Sequence, residues 1–149
     1  MTVERTLLIS LRPRFANAIL LGAKTVEVRR RAVNAPPGTP IILYASSPVR
    51  AVVGTARLLR VDKYGHDAAW RRFGNGLGLT RFEFDAYLEG TSTVFLLHLQ
   101  KVRTLNQPLP LRRLQEDGPF RPPQSFRYVA ESDPSRLRAL ANSNRSHAY

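Results

Sequence analysis

Cysteine is absent from this chain of 149 residues. That absence excludes a disulfide framework, a thiolate nucleophile and any cysteine-based metal site. Apolar runs are short too, and none approaches the roughly 20 residues that a membrane-crossing helix needs. The opening Met1-Thr2-Val3-Glu4-Arg5 leads straight into a strand-like segment and lacks the apolar stretch and small-residue cleavage site of a secretory signal. A cytoplasmic location and no membrane contact are therefore expected. Histidine is scarce: His66, His98 and His147 show no paired spacing, and no carboxylate cluster suggests a two-metal nuclease. No metal and no cofactor are expected. Acidic residues are few, 11 against 23 Lys plus Arg, which leaves a net charge of +12 and a pI of about 11.3. Such a balance attracts polyanions, nucleic acid above all. Lysine is rare as well, with only Lys24, Lys63 and Lys101. The other cations are arginines, whose planar fork suits phosphates and stacks on bases.

What is present reads as one domain over residues 1–141 with a flexible polar tail over 142–149. Thr6–Leu11 is an apolar run typical of a buried strand. Residues 13–21 form a short helix, with Pro13 in its first turn and Gly22 as its stop. A strand is expected over Lys24–Arg31, then a proline-rich loop to Pro40, and further strands over 41–45 and 51–61. Gly54 within the last of these marks a bulge or a close backbone approach. Two short helices, 67–73 and 80–88, flank a glycine-rich joint, and Thr80 with Glu83 fits a capping box. The aromatics Phe82, Phe84 and Tyr87 read as core rather than as a stacking platform. A strand over 93–102 carries His98 as a satisfied core residue. An extended segment, a turn of helix at 111–114 and a last helix over 134–141, capped by Asp133, complete the chain. The fold class is α+β: a small mixed or antiparallel β-barrel flanked by short helices.

The most unusual stretch is Gly22-Ala23-Lys24-Thr25-Val26-Glu27-Val28-Arg29-Arg30-Arg31. Strand alternation puts Thr25, Glu27 and Arg29 on one face and Val26, Val28 and Arg30 on the other. A lysine, a glutamate and an arginine this close can build a charged site at a sheet rim. The same residues would also serve as gatekeeper charges on a solvated edge strand, or as an ion-pair network that only shapes it.

The pattern Gly-x-Lys-x-x-Glu-x-Arg in this stretch resembles the signature of the ASCH family, whose members share a PUA-like barrel. Ile9-Ser10-Leu11-Arg12-Pro13 resembles the family's lead-in, Tyr44–Gly54 the strand pair that follows, and Pro122–Tyr128 the closing segment of one branch. The resemblance implies a cleft between barrel and first helix, lined by Lys24–Arg29, that takes RNA or a nucleoside. Some small members are amidohydrolases acting on N4-acetylcytidine through a lysine, a threonine or its equivalent, and a glutamate. Others resemble ribonucleases, and coactivator roles have also been attached to the superfamily.

Candidate roles follow from residue chemistry. In a hydrolase, Lys24 would act as a desolvated amine, Thr25 would offer a hydroxyl and Glu27 would be a general base on water. A second acid finds no place in a motif. For RNA cleavage, Lys24, Tyr44 and Ser125 are suitable types. For binding, Arg12, Arg14, Arg29, Arg30, Arg31 and Arg50 would form a basic rim for phosphates. Tyr44, Phe126 or Tyr128 would stack on a base, while Ser46, Gln124 and Ser125 bond its edge. The alternative is that Phe126 and Tyr128 simply plug the barrel end. The leading expectation is a domain that binds RNA or a modified nucleoside. The alternatives are a metal-independent hydrolase in the same cleft, or a regulatory module whose basic surface serves DNA or a protein partner.

Overall fold

The structure is a computed structural model and describes residues 4–146, with side chains described as far as residue 141. Strands β1 (Leu7–Leu11), β2 (Val26–Arg29), β3 (Pro40–Ala45), β4 (Ala51–Gly65), β5 (Thr93–Pro110) and β6 (Phe126–Tyr128) form one sheet in the order β2-β5-β4-β3-β1-β6. Only β1 and β3 run parallel; every other neighbouring pair is antiparallel. The sheet curls into a half-barrel. Its edges meet through a side chain: Arg29 on β2 donates to the carbonyl of Ser10 on β1 and to the hydroxyl of Ser125, just before β6.

Three apolar clusters fill the two faces. Alternate residues of β1 and β3 (Leu7, Ile9, Leu11; Ile41, Leu43, Ala45) pack with Ala16 and Ile19 of α1 (Pro13–Leu20). Their neighbours Leu8, Ile42 and Tyr44 point the other way, under Leu114 of α4 (Leu111–Leu114) and Leu137 of α5 (Ser135–Ser146). Val26, Val28, Val94 and Leu96 lie beneath Ala69 of α2 (His66–Phe73) and Phe84 of α3 (Arg81–Tyr87). Strands buried on both faces read as continuous apolar runs, as β3 does.

Element ends differ from expectation where the determinant is tertiary. β2 is shorter than Lys24–Arg31, because the amides of Ala23 and Lys24 both bond the Ala18 carbonyl in the overrun of α1, and that of Thr25 bonds Gly76. β4 and β5 are longer, since each pairs with the other beyond its apolar part: β4 runs on to Gly65 opposite Thr93, and β5 runs on to Pro110 opposite Ala51. The last helix continues past Ala141 to Ser146. Asp133 does not spend its carboxylate as a simple cap: it pairs with Arg127 and accepts the Ala130 amide. No helix among the described residues is long and apolar enough to cross a membrane.

Candidate functional site

Gly22 takes a left-handed conformation, φ +83°, as the chain leaves α1. Glycine enters that region without steric cost. The turn delivers Lys24 into the protein, where it is 2% exposed. The Lys24 ammonium donates to the Leu77 carbonyl and stands 3.4 Å from Glu27 Oε1. Glu27 Oε1 also accepts the Val28 amide at 3.0 Å, while Oε2 lies 3.2 Å from Arg29 Nη2. Arg29 reaches Ser125 Oγ at 2.7 Å and the Ser10 carbonyl at 3.1 Å. One buried carboxylate thus sits between a buried ammonium and a largely buried guanidinium. Burial pushes the Lys24 amine below its ordinary value; Glu27 pulls it back up, and Arg29 and Arg14 push it further down.

This triad forms the floor of a cleft of about 640 Å³. Its walls include Phe15 of α1, Leu79, and Phe82, Ala86 and Tyr87 of α3, with Arg12, Gln124 and Ser125 at the rim. The Lys24 Nζ lies 5.4 Å from the centre of the Phe15 ring. Burial raises the Tyr87 phenol, against an opposing effect of Arg29. The α3 wall is held firmly. Thr80 and Glu83 form a reciprocal capping box at its start. Across the mouth, Arg14 of α1 clasps the same Glu83 carboxylate with both terminal nitrogens. At its other end Arg30 donates to the carbonyls of Tyr87 and Glu89.

The clasp makes a titration prediction. The Arg14 guanidinium, with help from the Thr80 amide, holds the Glu83 carboxyl down to about 2, against an ordinary 4.5. A depressed carboxylate stabilises the fold above its unfolded-state value, and that contribution disappears as pH falls through the folded-state value. In Arg14→Ala the Glu83 carboxyl, followed by NMR, should titrate closer to 4.5, though still below it because the Thr80 amide remains. An unchanged midpoint would mean that the clasp does not form in solution.

Comparisons with known proteins agree with this architecture. The family model described as a domain of unknown function (DUF365) matches residues 8–116. A Zymomonas mobilis protein named ASCH domain-containing ribonuclease is 36% identical over 138 residues, covering 90% of each chain. This chain belongs to the ASCH-domain family. The crystal structure of an ASCH protein from Zymomonas mobilis superposes on this ASCH domain with a TM-score of 0.84 at 32% identity, over 93% of this chain and 96% of that one. A Pseudomonas putida protein of known structure shares the fold alone, with a TM-score of 0.55 at 18% identity over 91% and 99% of the two chains.

The residues singled out from the sequence fall into two groups in this ASCH domain. Lys24, Glu27, Arg29, Arg12, Gln124 and Ser125 converge on the cleft. The others lie elsewhere. Thr25 is exposed and faces Gly76, outside the cleft lining. Tyr44 is 2% exposed and packs on the opposite face of the sheet, against the α5 side. Burial raises its phenol, while Arg50 pulls it down. Ser46 and the exposed Arg50 belong to the turn between β3 and β4, where Arg50 adopts φ 50°. Phe126 packs on the inner cluster. Tyr128 donates to the Asn34 carbonyl beneath the Arg5 guanidinium, which is 3.6 Å from its ring centre. Arg31 is exposed just beyond β2.

The expected basic rim is broken up, because Arg14, Arg29 and Arg30 spend donors on intramolecular partners. The aromatics of α3 do not all enter the core: Phe84 is fully buried, whereas Phe82 is 82% exposed and Tyr87 is 42% exposed. Sequence reasoning missed Phe15 and Leu79 as walls and gave Ser10 no role of its own. It also missed the α1–α3 clasp, which joins residues 69 positions apart. His98 is the satisfied core histidine expected, 2.9 Å from Asp62. Among the described residues no three His, Asp or Glu side chains gather as a metal site.

Proposed function

We propose that this ASCH domain binds RNA, or a modified nucleoside, with one nucleobase seated in the cleft above Lys24, Glu27 and Arg29. The observation that carries this reading is the floor itself, which presents ammonium donors beside a carboxylate acceptor in a water-poor recess. A nucleobase edge offers acceptors and donors side by side, and such a floor complements it. Phe15, Leu79 and Tyr87 supply apolar walls for the ring, and Arg12, Gln124 and Ser125 stand where sugar and phosphate would emerge.

Cleavage in the same cleft is the second reading. It is favoured by the depressed Lys24 amine and by the ribonuclease named at 36% identity. Lys24 in its amine form would take the 2′-hydroxyl proton. The 2′-oxygen would then attack the adjacent phosphorus, the P–O5′ bond would break, and the proton would pass to the departing 5′-oxygen. Arg12 would face the negative charge carried by the non-bridging phosphate oxygens.

The test is a titration of short single-stranded RNA, the matching DNA, cytidine and N4-acetylcytidine, with chelator present and over a range of salt. RNA should bind, with log K falling against log salt at a slope of about −0.7 per phosphate contact. Product formation lost in Lys24→Met would establish cleavage; tight binding without product would leave binding alone. A wild-type protein that takes neither RNA nor nucleoside would overturn the proposal.

A further inference from the structure

Phe82 is the most exposed aromatic side chain at the cleft, and among the described residues its ring meets no other ring and no cation. Two residues along the same helix, Phe84 is fully buried. A lone exposed phenylalanine needs no explanation. This one lines the cleft, and its helix is fastened at both ends: by the capping box and Arg14 at the start, and by Arg30 on the Tyr87 and Glu89 carbonyls at the finish. The ring is therefore presented by a rigid element rather than a loop. The exposed Arg12 lines the same opening. Unlike Arg14, whose guanidinium is committed to Glu83, it is placed to meet a ligand.

A fixed, solvent-facing ring beside a cation is the pairing that single-stranded nucleic acid uses: the ring takes a base face and the cation takes the phosphate. We propose that Phe82 is the platform of a second nucleotide subsite, with the base next to the cleft-bound one stacked on it and the linking phosphate on Arg12. The inference rests on the RNA-binding reading above and deepens it: the ligand is a strand of at least two nucleotides, and a free nucleoside fills only the inner half of the site.

The experiment compares a nucleoside monophosphate with a six-nucleotide single-stranded RNA on wild type, Phe82→Ala and Phe82→Trp. Stacking contributes about 1–3 kcal/mol per base, or roughly 5- to 150-fold. The ratio of oligonucleotide to mononucleotide affinity should fall by at least about 5-fold in Phe82→Ala. It should return in Phe82→Trp, whose added indole emission should be quenched by the oligonucleotide and not by the mononucleotide. Because Phe82 is solvent-facing, its replacement leaves the core intact, and matching melting curves check this. An unaltered ratio in Phe82→Ala, with RNA still bound, overturns the subsite and spares the parent reading; absence of RNA binding by the wild type overturns the parent reading. A concentration-dependent dimer lost in Phe82→Ala with an unaltered ratio assigns the ring to self-association and likewise overturns the subsite.

Discussion

Replacing Glu27 with alanine should lower the melting temperature by roughly 10 °C and abolish ligand binding. Among the described residues Glu27 is the one carboxylate paired with both Lys24 and Arg29. Both cations have side chains almost wholly removed from water, with exposures of 1% and 11%. Removing the partner of a buried charge costs about 3–5 kcal/mol, because the orphan cannot recover its hydration. Here two cations are orphaned together. Lys24→Met is the informative contrast. Methionine keeps most of the unbranched stem that packs against Gly78. Glu27 loses its Lys24 partner but retains Arg29 and the Val28 amide, and the Leu77 carbonyl loses its Lys24 donor. That variant should lose less than half as much stability while still losing function. Paired denaturation curves decide the matter: equal losses in the two variants would show that the carboxylate does not anchor the site.

Gly54→Val should be damaging for a steric reason. A Cβ at Gly54 would lie 2.6 Å from the Arg103 carbonyl oxygen and 2.6 Å from Leu20 Cδ2. The first of these is backbone in the paired strand β5 and cannot swing aside. Overpacking typically costs about 1–3 kcal/mol, and a backbone collision combined with two added methyl groups belongs at or above the top of that range. We expect the melting temperature to fall by roughly 8 °C or more, at about 2–4 °C per kcal/mol for a chain of this size. Leu20 belongs to α1, which also brings Phe15 to the cleft, so ligand affinity should fall with it. A Gly54→Val protein that melts like the wild type would mean the β4–α1 contact is looser than its geometry.

The same glycine shows how far the sequence could be read. A glycine inside an otherwise apolar strand signals a bulge or a close approach. Both occur, since the β3–β4 register shifts opposite Gly54 and α1 presses on it. The Thr80–Glu83 box was legible because its determinants are three residues apart. Glu27 and Arg29 share a face as alternation requires, but Thr25 does not, because the helix overrun precedes the strand. Tyr44 could not be assigned a side. In Ile41-Ile42-Leu43-Tyr44-Ala45 every position is apolar, and β3 is buried on both faces, so alternation leaves no trace. Phe82 and Phe84 differ for a related reason: positions two apart on a helix point in divergent directions, and composition alone does not say which one meets the sheet. The fate of each arginine depended on partners far along the chain, as with Arg14 and Glu83.

The way the sheet is fastened has an evolutionary corollary. Among the described residues neither β2 nor β6 has a partner strand on its outer side, and one guanidinium spans the gap between the two ends of the curled ladder. Arg29 is thus both part of the floor of the recess and the latch of the architecture, with its Nε buried and unbonded. Relatives that drift toward a different ligand by altering this position must reinvent the fastening at the same step. Diversification is easier at the α3 lip, where substitutions can retune what is held without loosening the frame.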